Sequence, residues 1–285
     1  MNATFNLTDN STSRSNLLLY IYLPVGVIVP IVGFPTNLYV LWLLLRKPGL
    51  CSTSDIFYVN LASLDALCSV LQPVEVILRI LSNLEKPVLH SMLLNQFAGP
   101  LFQTCICMDS YMGVLYPVMF LKFKMPRYRL GLCALVWAAT AMVSFWTYYV
   151  NNEASGLKCI AGFLVVELSI MYYCSTKVIR ALKQHGPGCQ KVHPAKLKAH
   201  RTVRCLITMV MIHYITPVVN FLLVSNNKVS RYSLSTIVAY MFVCISSCNH
   251  PLFYLLKSRI ISFMFFHKSQ AHVNEPKAAV ATVES

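Results

Sequence analysis

The stretch CMDSYMGVLYPV, Cys107–Val118, ends a long apolar run with an acid, Asp109, and leads through a Tyr-Pro pair into a basic loop. An ionised carboxylate at the edge of an apolar span is costly without a partner. The residue beside it is Ser110, not a base. On both sides of this stretch, apolar runs long enough to cross a bilayer alternate with short polar or basic segments. The chain of 285 residues is 56% hydrophobic and 12% charged. A soluble domain carries roughly 25% charged residues. The composition therefore points to an all-α membrane protein embedded in the lipid bilayer.

Seven spans can be read from the apolar runs. They cover Leu17–Leu45, Asp55–Leu81, Leu89–Leu115, Leu130–Val150, Ile160–Leu182, Val203–Val224 and Ser233–Leu256. Polar residues interrupt the third and fifth. Pro73 and Pro217 fall inside spans and mark helix kinks. For Pro217 the kink reads either as a hinge or as a fixed bend.

Lysine and arginine set the expected orientation. Most of the 24 fall on one side, in three inter-span loops and the C-terminal segment, including Arg46, Lys47, Lys122, Lys124, Arg127, Arg129, Lys183–Arg204 and Lys257 onward. Arg14, Arg79, Lys86, Lys158, Lys228 and Arg231 fall on the other side. The N-terminal tail carries three N-x-S/T sequons, at Asn2, Asn6 and Asn10, which imply glycosylation and an extracellular N-terminus. The tail lacks the basic start and short apolar core of a cleaved signal. The expected organisation is a glycosylated extracellular tail over 1–16, a seven-transmembrane helix bundle over 17–256, an amphipathic membrane-surface helix over 257–268 and a disordered cytoplasmic tail over 269–285.

The formal charge of +14 does not describe a nucleic-acid binder, because the bases lie in short inter-span segments without an aromatic-basic surface pattern. Most of the eleven cysteines fall inside apolar runs, where cysteine packs as a small hydrophobe. No H-E-x-x-H, G-x-S-x-G or paired intramembrane aspartates suggest an enzyme. No internal repeat suggests a transporter.

Each span carries a marker. The first has GFPTNLYVLW with Asn37, the second NLASLDAL with Asp65, and the third CICMDSYMGVLYP. The fourth has Trp137, the sixth Pro217 and the seventh SSCNHPLFYLL. This order resembles the rhodopsin-like (class A) G-protein-coupled receptors, over about Leu17 to Lys268. YPVMFLKFKMPRYR, CISSCNHPLFYLL and Asn95 resemble its nucleotide, lysophospholipid and protease-activated receptor branch.

The resemblance implies a plasma-membrane receptor, not an enzyme. It would bind an extracellular ligand in the outer half of the bundle and signal to a heterotrimeric G protein, arrestin or both. By position, Glu75, Arg79, Met92, Gln96, Asn220 and Tyr240 would line the ligand pocket. Met92 stands where amine receptors carry an acid. Glu75 and Arg79 are spaced as a helical ion pair; they either satisfy each other or leave Arg79 for an anionic ligand. The switch region would comprise Asp109, Ser110, Tyr111, Pro217, His250, Pro251 and Tyr254. Asp65 and Ser247 would hold a sodium ion, or join a structural polar network without one; Ser246 and His250 stand near, and Gly99 supplies no hydroxyl. No other cofactor is implied.

Ser110 replaces the arginine of D-R-Y, and His250 the asparagine or aspartate before Pro251. Glu167 falls where a proline is expected, Glu85 where a cysteine is, and Cys159 is placed in the second outer loop. Three readings of Asp109 stand: pairing with Lys122, Lys124 or Arg204, simple solvation, or a lapsed role with weak or no coupling, as in a decoy or scaffold. His213 reads as a packing or hydrogen-bonding residue.

Overall fold

A computed structural model describes residues 27–46, 55–82, 90–123, 125–149, 153–183, 194–226, 228 and helical pieces at 234–235, 238–239, 241–242, 244–252 and 254–255. Asn2, Asn6, Asn10, Tyr240, the 1–16 tail, the 257–268 helix and the 269–285 tail lie outside the described residues. So do the side chains of Glu75, Arg79 and Met92.

The described chain is helical throughout its long elements. A π turn, Val29–Gly33, runs into α1, Phe34–Arg46. Then come α2, Asp55–Ser82; α3, His90–Leu115; a short helix, Pro117–Lys122; α4, Pro126–Tyr149; α5, Glu153–Lys183; and α6, Pro194–Ser225. The pieces from 234 to 255 supply the seventh segment. The fourth and fifth spans start earlier than the hydrophobic runs suggest, at Pro126 and Glu153. Proline at a helix start explains the first, since its missing N–H has no partner to lose there. Only residues 150–152 separate α4 from α5. Cys159 is therefore an exposed residue of α5, not of a loop.

Among the described residues, four helical stretches are long and apolar enough to cross a membrane: Val29–Arg46, Asp55–Val74, Pro126–Trp146 and Ser155–Ala181. The fifth span, which looked interrupted in the sequence, is the most hydrophobic of these. α3 falls outside this set because amides and hydroxyls occupy its buried face. The basic first half of α6 leaves a shorter apolar stretch, Val210–Ser225.

Polarity is inverted relative to a soluble protein. Asn37, Asp65, Ser69, Gln72, Asn95 and Gln96 are buried, while Ile31, Leu135, Met142 and Phe145 are each 66% exposed. An apolar exterior around a polar interior is the arrangement that lipid favours. α3 is central and packs against α2, α4 and α5, while α5 packs along α6. One core cluster joins α1 to α4 through residues such as Val40, Leu64, Phe102 and Val136. A second joins α5 and α6 around Leu164, Met171 and Tyr214.

Among the described long helices, α2, α3 and α6 contain internal prolines at Pro73, Pro100 and Pro217. Each frees the carbonyl four residues earlier, so Ser69, Gln96 and His213 sit at softened points of their helices. α1 approaches the bundle closely at Gly33. A Cβ there would stand 2.8 Å from Ser69 Oγ and 3.1 Å from Cys248 Sγ. One turn later Asn37 Nδ2 donates to the Gly33 and Ser247 carbonyls, both at 2.9 Å, and ties α1 to the seventh segment.

Candidate functional site

The first site is built around Asp65, fully buried in α2. Its Oδ2 accepts from His250 Nδ1 at 2.9 Å. On the other side of the ring, the Gln103 amide of α3 donates to His250 Nε2. A ring that accepts at Nε2 carries its proton on Nδ1, which suits donation to the carboxylate. His250 thus bridges α2 and α3 from the seventh segment. Gln103 Oε1 has no hydrogen-bond partner among the described residues.

Asp65 Oδ1 has no hydrogen-bond partner among the described residues. Around it, Asn95 Nδ2 of α3 donates to Ser246 Oγ at 3.4 Å and to Ser247 Oγ at 3.1 Å. Gly99 offers no hydroxyl, but a second residue fills the place. A Cβ on Gly99 would meet Tyr214 Oη at 3.4 Å, so the phenol reaches from α6 into the space the glycine leaves. Tyr214 Oη also has no hydrogen-bond partner among the described residues. A carboxylate oxygen, serine hydroxyls and a phenol are hard oxygen donors of the kind that hold a sodium ion. The residues present therefore fit such an ion on the Oδ1 side, while His250 occupies Oδ2.

The network continues along α2 and α6. Ser69 and Gln72 share the Asp65 face of α2, and neither Gln72 side-chain atom has a partner among the described residues. Gln96 is equally buried on α3, with Oε1 without a partner there. Asn220 is buried on α6. These amides lie toward the bundle end opposite the basic loops. Below Pro217, Asn249 Nδ2 donates to His213 Nε2 at 3.0 Å, and the His213 ring meets Phe242 edge-on. Tyr254, after Pro251, packs against Tyr58 of α2 with centroids 5.1 Å apart.

The second site lies at the basic end. Asp109 is buried and pairs with the Arg129 guanidinium, from the first turns of α4. A base that answers it is thus Arg129, which was not among those expected, and Asp109 is not a solvated acid; Lys124 and the Arg204 side chain lie outside the described residues. Arg129 also lies over the Phe120 ring, 5.4 Å from its centroid, so the short helix lids the pair. Ser110 takes no part: its hydroxyl donates back to the Ile106 carbonyl at 2.9 Å. Tyr111 lies between Tyr116 and Tyr173, with centroids 5.7 and 6.2 Å away. Nearby, Trp137 Nε1 donates to Asn60 Oδ1 at 2.9 Å and ties α4 to α2.

Sequence reading missed Arg129, Gln103, Gln72 and Tyr214 as site members. Arg129 lies twenty residues after its acid and looked like one of many loop bases. Gln103 and Tyr214 sit in apolar runs with no motif around them; their polarity in a membrane span was the available signal.

Residues 36–156 match the 7 transmembrane receptor (rhodopsin family). Among curated proteins, the chain is 32% identical to a type 8 purinoceptor of Gallus gallus over 133 residues, 43% of this chain and 36% of that one. It is 30% identical to human Proteinase-activated receptor 3 over 160 residues, 53% and 41% of the two chains. It is 25% identical to the human Uracil nucleotide/cysteinyl leukotriene receptor over 244 residues, 76% and 65% of the two. The matches thus span between 36% and 65% of these relatives' lengths. These relatives are receptors rather than enzymes. The span markers, the helical bundle and these relatives together make the chain similar to the rhodopsin-like receptors, with the likenesses falling among purinoceptors and a proteinase-activated receptor.

Proposed function

We propose that the chain is a multi-pass plasma-membrane receptor, N-terminus extracellular, that couples an outer ligand to a heterotrimeric G protein. The observation that carries this reading is compensation. The two positions that depart most from the family pattern, Ser110 and His250, stand beside acids that have partners elsewhere. Asp109 has Arg129, and Asp65 has His250. A lapsed site has no reason to keep buried carboxylates paired, because an unpaired buried charge is costly.

On this reading the ligand enters the outer half of the bundle, among Glu75, Arg79, Met92, Gln96, Asn220 and Tyr240, with Gln72 added. The name of one relative couples a nucleotide with a leukotriene. Both are anions, which favours Arg79 as an anion contact over an Arg79–Glu75 pair. Ligand binding favours one packing of α3, α6 and the seventh segment, with Pro217 as the hinge. The G protein meets the basic face around α5 and α6, and arrestin is an alternative occupant of the same face. Asp65, Ser246, Ser247 and Tyr214 hold sodium in the resting packing.

Ser110, bonded to its own helix, supplies nothing to that face and favours a second reading: a decoy or scaffold with weak or no coupling. The deciding experiment measures G-protein activation across subtypes for wild type, Ser110→Arg and Arg129→Ala at matched surface expression. Activation by wild type that Arg129→Ala alters supports the receptor reading. Activation by Ser110→Arg alone supports the silent one.

A further inference from the structure

A third carboxylate is buried in the bundle, and neither site above uses it. Glu167 sits near the middle of α5 and is 3% exposed. Neither carboxyl oxygen has a hydrogen-bond partner among the described residues. The described ion pairs, Asp109–Arg129 and Asp65–His250, do not include it. A charge in this position needs a counter-charge or a bound cation.

Ring contacts fix what faces Glu167. Phe97 of α3 meets Phe163 of α5 with centroids 4.7 Å apart, and Tyr111 meets Tyr173 at 6.2 Å. Thr104 lies midway between Phe97 and Tyr111, two helical turns from each, and so sits on the α5-facing stripe of α3. Glu167 follows Phe163 by one turn, on the α3-facing stripe of α5. The two side chains therefore share one level of one interface. Thr104 is 6% exposed, and its Oγ1 has no partner among the described residues. From α6, Tyr214 packs among Leu164, Leu168 and Met171, which surround Glu167 on α5.

We propose that Glu167, with the Thr104 and Tyr214 hydroxyls, holds a small monovalent cation such as sodium between α3, α5 and α6. The donor set is all hard oxygen, which suits such an ion and not a transition metal. One carboxylate against one positive charge gives a neutral site, whereas a divalent ion would leave net charge in a dry interior. The carboxylate is not that of the Asp65 site, whose Oδ2 is taken by His250; the Tyr214 phenol stands between the two. Occupancy would fasten α5 to α3 and α6.

The test is thermal unfolding of the full chain in lipid nanodiscs, titrating sodium chloride against N-methylglucamine chloride at constant ionic strength. The variants are Glu167→Gln, Thr104→Val and Asp65→Asn. In the Asp65→Asn background, which removes the carboxylate of the other sodium site, the expected result is a saturable rise in unfolding temperature. The rise is lost when Glu167→Gln is added and moves to higher sodium when Thr104→Val is added. Three outcomes overturn the proposal: no sodium response in Asp65→Asn, which makes Glu167 a protonated acid only; a response that survives Glu167→Gln in that background; or a sodium midpoint unchanged by Thr104→Val there.

Discussion

Arg129, near the start of α4, donates to Asp109, near the end of α3, and both side chains are buried. The family arginine beside this acid is absent, and a base from the next helix takes its acid instead. This ties α3 to α4. The tie is local in sequence and rigid in position, since Phe120 covers the guanidinium.

Removing one partner should therefore cost far more than removing both. Arg129→Ala takes the guanidinium away from a buried carboxylate and should lower stability by about 3–5 kcal/mol. The pair Asp109→Asn with Arg129→Leu should recover most of that loss. Thermal unfolding of the purified variants, read as a double-mutant cycle, measures the coupling.

Gly33 is set by space. Gly33→Ala places a methyl 2.8 Å from Ser69 Oγ and 3.1 Å from Cys248 Sγ, and overpacking of this kind costs about 1–3 kcal/mol. Ser69→Ala removes the nearer atom. The double variant should be more stable than Gly33→Ala alone, and unfolding temperatures in detergent check it.

Asp65 should tolerate an amide better than a methyl. Asn at 65 still offers an oxygen to His250 Nδ1, whereas Ala leaves His250 and the Asn95 cluster around a cavity. Asp65→Ala should thus be the less stable of the two variants by roughly 1–3 kcal/mol, the cost of an unsatisfied buried group. Cell-surface yield and thermal unfolding report the order.

Trp137 bonds to Asn60 as well as packing against Phe102. Trp137→Phe keeps an aromatic ring but leaves Asn60 Oδ1 without its donor. The loss should be about 1–3 kcal/mol. Asn60→Ala should add little to it, because the same hydrogen bond is already gone; thermal unfolding of the single and double variants checks this.

The helical membrane architecture and the resemblance to a receptor family were legible in the sequence, because hydrophobic length and a few intramembrane polar residues are local properties. Asn37, Asp65, Trp137 and Pro217 announce themselves by being polar, large or helix-breaking inside apolar runs. Helix starts were less legible: α5 takes in residues 153–159 because a helix can extend past its apolar core when its polar groups reach the membrane surface.

What the sequence determined by itself is that this chain is a helical membrane protein with a buried acid in its second span and an acid without its arginine in its third. Tertiary structure decided who answers those acids. His250 reaches Asp65 across 185 positions, and Arg129 reaches Asp109 across twenty. Tyr214 fills the gap at Gly99 from another helix. Such partners follow from helix register and close approach, and a carboxylate in a low-dielectric interior selects whichever base or hydroxyl the packing brings within reach.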